Sequence, residues 1–147
     1  MAATRTAHAV WEGGLIDGKG TVSAGSSSLF TSLPVSWASR TEAVDGRTSP
    51  EELLAAAHAS CYCMALSHGL AGAGTPPQKL ETSATVTFGP KEGGGFKVTS
   101  SHLVVKGTVA GISAEAFTTA ANAAKDGCPI SGAMAGNVAL SVEATLA

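Results

Sequence analysis

Apolar and polar residues alternate along Ala7-His8-Ala9-Val10-Trp11, a two-residue period that predicts a strand. Asp17-Gly18-Lys19-Gly20 reads as a turn, and Thr21-Val22-Ser23 resumes the strand pattern. Gly25-Ser26-Ser27-Ser28 breaks it, and Leu29 to Trp37 is a third, weaker strand. From Ser49 to Leu70 the chain reads as one mostly apolar helix. Ser49 is its N-cap, Pro50 fits the first helical position and Glu52 completes a Ser-x-x-Glu capping box. Glycines at 69, 72 and 74, then Pro76-Pro77, end it. Leu80 to Phe88 and Gly95 to Val109 read as strands joined by a Gly93-Gly94-Gly95 turn, with Ala84, Val86, Phe88, Phe96 and Val98 on a covered face. Ser113 caps an alanine-rich helix to Lys125. Pro129 to about Ala135 is a short helix, and Val138 to Leu146 a final strand.

The order is three strands, a helix, two strands, a helix pair and a strand. It predicts an α+β fold with helices laid on a largely antiparallel sheet of about six strands. At 147 residues, without an internal repeat or long linker, the chain reads as a single domain, 1–147. Charged residues are only 14% and aromatics 5%. Small side chains fill little volume, so the core of one subunit is expected to be thin and part of the apolar surface to be covered by another subunit.

The net charge of −2 and the scattering of nine Lys and Arg residues argue against a nucleic-acid partner. The first twelve residues have no apolar signal core, and no stretch reaches the length that spans a bilayer. The expectation is a cytoplasmic protein without membrane contact, in which thiols stay reduced and disulfides are transient and catalytic. Gly18-Lys19-Gly20-Thr21 lacks the rest of a phosphate-loop pattern and a following helix, which favours the hairpin.

Three cysteines carry the candidate chemistry. Cys61 lies within the long helix. Its neighbours one and two turns away are Leu54, Ala57, His58, Met64, Ala65 and His68, an apolar face with two imidazoles at its margin. Geometry alone makes it a small core hydrophobe. Cys63 lies about 200° further round the helix, so the two can neither grip one metal ion nor close a disulfide within it. Cys63 is then packing or a spare thiol. Cys128 sits between Gly127, a left-handed stop for the preceding helix, and Pro129, which starts the next. At that N-cap, free N–H groups and the helix dipole favour a thiolate. A buried loop cysteine is the equal alternative. His58, one turn before Cys61, makes a Cys-His nucleophile pair conceivable, although side chains on adjacent turns usually pack side by side. His8, His68 and His102 read as structural or surface residues.

On these residues the sequence resembles the OsmC/Ohr family of organic hydroperoxide reductases, and its OsmC branch in particular. The matching stretches are Trp11-Glu12-Gly13 with Gly18-Lys19-Gly20-Thr21, Ser49-Pro50-Glu51-Glu52-Leu53, Ala55-Ala56-Ala57-His58-Ala59-Ser60-Cys61, and Gly127-Cys128-Pro129-Ile130-Ser131. They cover nearly the whole chain. The resemblance implies an OsmC-like fold, an intertwined homodimer whose sheets wrap on long central helices, with active sites at the subunit interface. It implies that Cys61 is the peroxidatic and Cys128 the resolving cysteine. Arg40 best matches the arginine that activates the thiolate and contacts peroxide, with Arg47 close by as the alternative. Glu51 matches the glutamate that orients that arginine. Ten residues of helix separate Glu51 from Cys61 by about 15 Å, so Glu51 is expected to serve the partner subunit's cysteine.

The reaction so implied reduces an alkyl or lipid hydroperoxide to its alcohol through a Cys61 sulfenic acid and a Cys61–Cys128 disulfide. A dithiol, dihydrolipoamide or a lipoyl-bearing protein, reopens the bridge, and no metal, haem or flavin takes part. Cys63 departs from the family pattern. A non-catalytic carrier of apolar ligands and a thiol redox sensor are the rival readings of the same fold.

Overall fold

In the computed structural model, which describes residues 1–147, β1 (Ala7–Glu12), β2 (Lys19–Ala24) and β3 (Leu33–Val35) form an antiparallel sheet in that order. Lys19 and Gly20 pair with Glu12 and Trp11, so they belong to β2 and not to the turn expected there. The reason is the Trp11 ring. A Cβ on Gly20 would come within 2.6 Å of its Cε3 atom, so glycine is needed opposite the indole. The reversal shifts back to the segment after Gly13, whose φ is +90° and whose carbonyl accepts the Trp11 Nε1 hydrogen bond at 3.1 Å.

The third strand is also shorter than expected. Ser28 and Ser32 take positive φ values of 55° and 54°, which interrupts extended pairing before Leu33. After it, Ser36 and Ser39 exchange backbone-to-hydroxyl hydrogen bonds at 3.1 and 3.2 Å and start a short helix, α1 (Ala38–Thr41), which the sequence pattern did not announce. These elements lie in a first compact unit, Met1–Pro50.

The second unit, Glu51–Ala147, is built on α2 (Pro50–Gly72). Its inward stripe is His58, Tyr62, Leu66 and Leu70, four residues apart and each no more than 1% exposed. The helix ends on Gly74 in the left-handed region (φ +83°). There Thr75 N–H bonds to the Leu70 carbonyl at 2.9 Å and Gly74 N–H to the Ala71 carbonyl at 3.0 Å, satisfying the open carbonyls. Of the glycines that punctuate this end, Gly74 is the one the cap requires.

β4 (Lys79–Pro90) and β5 (Phe96–Thr108) form a long antiparallel hairpin, and β6 (Ala139–Leu146) adds to β5 in parallel. The largely antiparallel architecture therefore resolves into two three-stranded sheets with one parallel pairing. Leu103 and Val105 of β5 meet Tyr62, Leu66 and Leu70 of α2 and Phe117, Ala121 and Ala124 of α3 (Ala114–Gly127) in a single core. The Tyr62 hydroxyl donates to the Ala121 carbonyl at 2.9 Å and ties α2 to α3. Gly107 lets the Phe117 ring approach β5; an added Cβ would meet its Cε2 at 2.6 Å.

Ser113 caps α3 as expected, accepting from Ala116 N–H at 3.1 Å. Gly127 is not the expected left-handed stop. It closes α3 with an ordinary φ, and the chain turns instead at Cys128 (φ −69°, ψ 125°). Extended backbone at one residue is enough because α4 (Pro129–Met134) begins directly after it. No helix is long and apolar enough to cross a membrane.

Candidate active site

The junction of α3 and α4 places Cys128 at the N-cap of α4, as its Gly-Cys-Pro setting predicts. Its sulfur is close enough to the Cys61 sulfur on α2 for each thiol to influence the other's ionisation. Both thiols are free; Cys128 is buried and Cys61 half-buried. Two cysteines 67 residues apart in sequence (128 − 61) therefore form one dithiol.

Their environments push them in opposite directions. Burial is the largest influence on each and raises both. At Cys128 it is outweighed by the Ser131 N–H, the Cys61 thiol, the Ile130 N–H and the Ser131 hydroxyl, all favouring the charged form, so its pKa falls below the ordinary thiol value. At Cys61 only the Ile130 N–H opposes burial, Cys128 adds to the rise, and the pKa stays up. Of the two, Cys128 is the more readily ionised and Cys61 the less.

His58 is not the base of a Cys61 pair. It is fully buried on the inward stripe of α2, with Nδ1 2.7 Å from Ser101 Oγ on β5 and Nε2 2.9 Å from Ser131 Oγ on α4. Burial lowers its pKa and favours the neutral ring. Residues three apart on a helix point about 60° apart, and here that difference sends the imidazole to the core and the thiol to its edge. Cys63 faces elsewhere, its S–H donating to Thr82 Oγ1 of β4 at 3.1 Å. It belongs to packing between α2 and the sheet and not to the dithiol.

Beside Cys61 a groove of about 590 Å³ runs between α2 and α3, walled by Met64, Ala65, Ala120 and Ala123, with His68 at its rim. The walls are almost wholly apolar, so the groove suits a hydrocarbon group presented to Cys61. Glu51 is buried in the first turn of α2. Because α2 is continuous from Pro50 to Gly72, Glu51 and Cys61 stand about 15 Å apart along its axis and do not meet within the chain. Arg40, expected at the end of the third strand, lies on α1 instead, with its guanidinium 5.6 Å from the Trp37 ring centroid. Arg47 pairs with Asp45 at 3.2 Å on the surface.

The residues that sequence reasoning overlooked are Ser101 and Ser131. Ser131 falls three positions after the N-cap, where its hydroxyl and its N–H both favour ionisation of Cys128. That spacing was visible in Gly-Cys-Pro-Ile-Ser. Ser101 had no local signal, because only the packing of α2 on β5 brings it beside His58.

A mixed α+β scaffold that seats a buried thiol at a helix start against a second thiol on a long helix defines a dithiol protein of the redox type. A sequence model of the family described as OsmC-like protein matches residues 43–143. The chain is 39% identical over 140 residues to peroxiredoxin OsmC of Escherichia coli (strain K12), covering 95% of this chain and 96% of that one. Its fold matches the crystal structure of the organic hydroperoxide resistance protein OhrB of Bacillus subtilis with a TM-score of 0.76, at 28% identity, over 95% of this chain and 98% of that one. An organic hydroperoxide resistance protein from Elizabethkingia anophelis, crystallised with thiocyanate bound, matches with a TM-score of 0.75 at 26% identity, over 99% and 100% of the two chains. The chain belongs to the OsmC-like family.

Proposed function

We propose that this protein is a thiol peroxidase that reduces organic hydroperoxides to alcohols. The observation that carries the reading is the Cys61–Cys128 dithiol beside an apolar groove, and the similarity to a peroxiredoxin and to organic hydroperoxide resistance proteins supports it. Cys61 attacks the distal oxygen of R–O–O–H as the thiolate. The O–O bond breaks, the alkoxide takes a proton and leaves as the alcohol, and Cys61 becomes a sulfenic acid. The Cys128 thiolate then attacks the Cys61 sulfur, the S–S bond forms, and hydroxide leaves and is protonated to water. A dithiol such as dihydrolipoamide or a lipoyl protein supplies two electrons and two protons to restore both thiols.

The ionisation pattern fits the second step directly and sets a condition on the first. Cys128 is held towards its thiolate, ready to attack. Cys61 is pushed the other way by burial, so it needs a cation before it can act. Family resemblance assigns that cation to Arg40, oriented by Glu51. Since Glu51 lies about 15 Å along α2 from Cys61, we assign it to the partner subunit's site in a homodimer. The apolar side chains left exposed on one chain, Val10, Trp11, Leu15, Ile16 and Met64, support that assembly. A reducing compartment such as the cytoplasm suits a dithiol that must be re-reduced each cycle.

The deciding experiment follows cumene hydroperoxide consumption with dihydrolipoamide as reductant. Cys61→Ser is expected to lose turnover completely. Cys128→Ser is expected to consume one equivalent per subunit and then stall. Steady-state turnover in Cys61→Ser would overturn the reading, and undiminished turnover in Cys128→Ser would remove its resolving role.

A further inference from the structure

His58, Ser101 and Ser131 form a buried hydrogen-bonded chain that the reaction above does not use. All three are no more than 2% exposed, and the chain ends at Ser131, three residues after the Cys128 N-cap of α4. The polar atoms come from three elements, α2, β5 and α4, so they are held in place by the packing of the whole unit.

Counting protons gives the chain a direction. A neutral imidazole has one N–H and one lone pair, and each serine hydroxyl has a single hydrogen to give. If Nδ1 carries the proton, it donates to Ser101 Oγ, and the Ser131 hydroxyl must spend its hydrogen on Nε2. If Nε2 carries the proton, it donates to Ser131 Oγ, Ser101 donates to Nδ1, and the Ser131 hydrogen is released. The acceptor then within its reach is Cys128, three residues earlier at the start of the same helix. The imidazole tautomer thus decides whether Ser131 serves the histidine or the sulfur.

We propose that His58 is a positioning residue for Cys128: protonated on Nε2 and braced by Ser101, it turns the Ser131 hydroxyl onto the Cys128 sulfur, where it serves as a hydrogen-bond donor to the resolving thiol. This deepens the peroxidase reading and rests on it for the word resolving. The link to the thiolate itself is a property of the resting protein. The Ser131 side chain does favour the charged form of Cys128, in agreement. The titratable group facing Cys128 from α2 is Cys61; Tyr62, next along that helix, spends its hydroxyl on the Ala121 carbonyl. From β5 the chain is met by Ser101, which does not titrate in the working range.

The test reads Cys128 alone, in a Cys61→Ser/Cys63→Ser background, by thiolate absorbance at 240 nm against pH. No peroxide is used, so the result stands whether or not the protein turns one over. Ser131→Ala is expected to raise the Cys128 midpoint by about one pH unit, a tenfold loss of thiolate at fixed pH. His58→Asn, whose amide reaches only the Nδ1 position and Ser101, is expected to shift it equally. His58→Gln, whose amide N–H replaces Nε2–H towards Ser131, should titrate with the parent. An unshifted Ser131→Ala overturns the proposal, as does an unshifted His58→Asn. If His58→Asn does not fold, a His58→Gln midpoint moved as far as that of Ser131→Ala overturns it instead.

Discussion

His58 enters the core as a neutral ring because burial disfavours its charged form, lowering its pKa from the ordinary 6.5. The unfolded chain takes up this proton near pH 6.5, while the folded chain does so only at lower pH. Its contribution to stability is therefore complete above pH 6.5 and is lost as the pH falls below it. Urea midpoints at pH 7.5 and 5.5 are expected to differ more for the wild type than for His58→Gln, which cannot take up the proton; equal losses would refute this. The same scale shows how far single residues could be read from the chain. Cys128 at a helix start was legible, because Gly-Cys-Pro is a local pattern. The role of His58 was not, since helix spacing offered Cys61 as its neighbour while its real partners lie 43 and 73 residues away.

Elements were set by short-range signals, and where two competed the packing chose. Proline, serine and glutamate fixed the start of α2, while three glycines competed to end it. The cap uses Gly74, at φ +83°, because only there do the Leu70 and Ala71 carbonyls find donors. Gly74→Ala is expected to cost about 1 kcal/mol by the left-handed strain alone, since nothing lies within 4 Å of an added Cβ. Gly72→Ala, helical and equally open, should instead gain roughly 0.5 kcal/mol. Thermal or urea unfolding of the pair checks this, and two changes of the same sign would contradict it. The β2 boundary shows the opposite case. Gly18-Lys19-Gly20 carries a turn signature, yet the strand claims Lys19 and Gly20 because the Trp11 indole needs a glycine beneath it.

At the scale of the molecule, small side chains leave a core that rests on few large residues, chiefly Tyr62, Leu66, Leu70, Leu103 and Phe117. All six residues of β1 are exposed, so beyond the Trp11 indole over Gly20 this strand covers little with either face. Strands with that pattern are stable when something else covers them, which is the physical ground for the proposed homodimer. Light scattering at micromolar concentration is expected to give about twice the 14.5 kDa chain mass. A mass of one chain would remove both the dimer and the assignment of Glu51 to the partner's site.

Apart from the short helix α1, the sequence by itself determined the element types, their order and the family, because caps, turns and strand alternation are local and the Gly-Cys-Pro and helix motifs are specific. It also held one long-range condition, the helical spacing that keeps Glu51 away from Cys61. The tertiary structure alone decided that the helix-start sulfur of Cys128 meets Cys61, which pairing of the second sheet is parallel, and where His58 points. Each of those depends on contacts between residues far apart in the chain, whose closure is specified by the packing of α2 against β5 and α3, and no periodicity in the sequence encodes it.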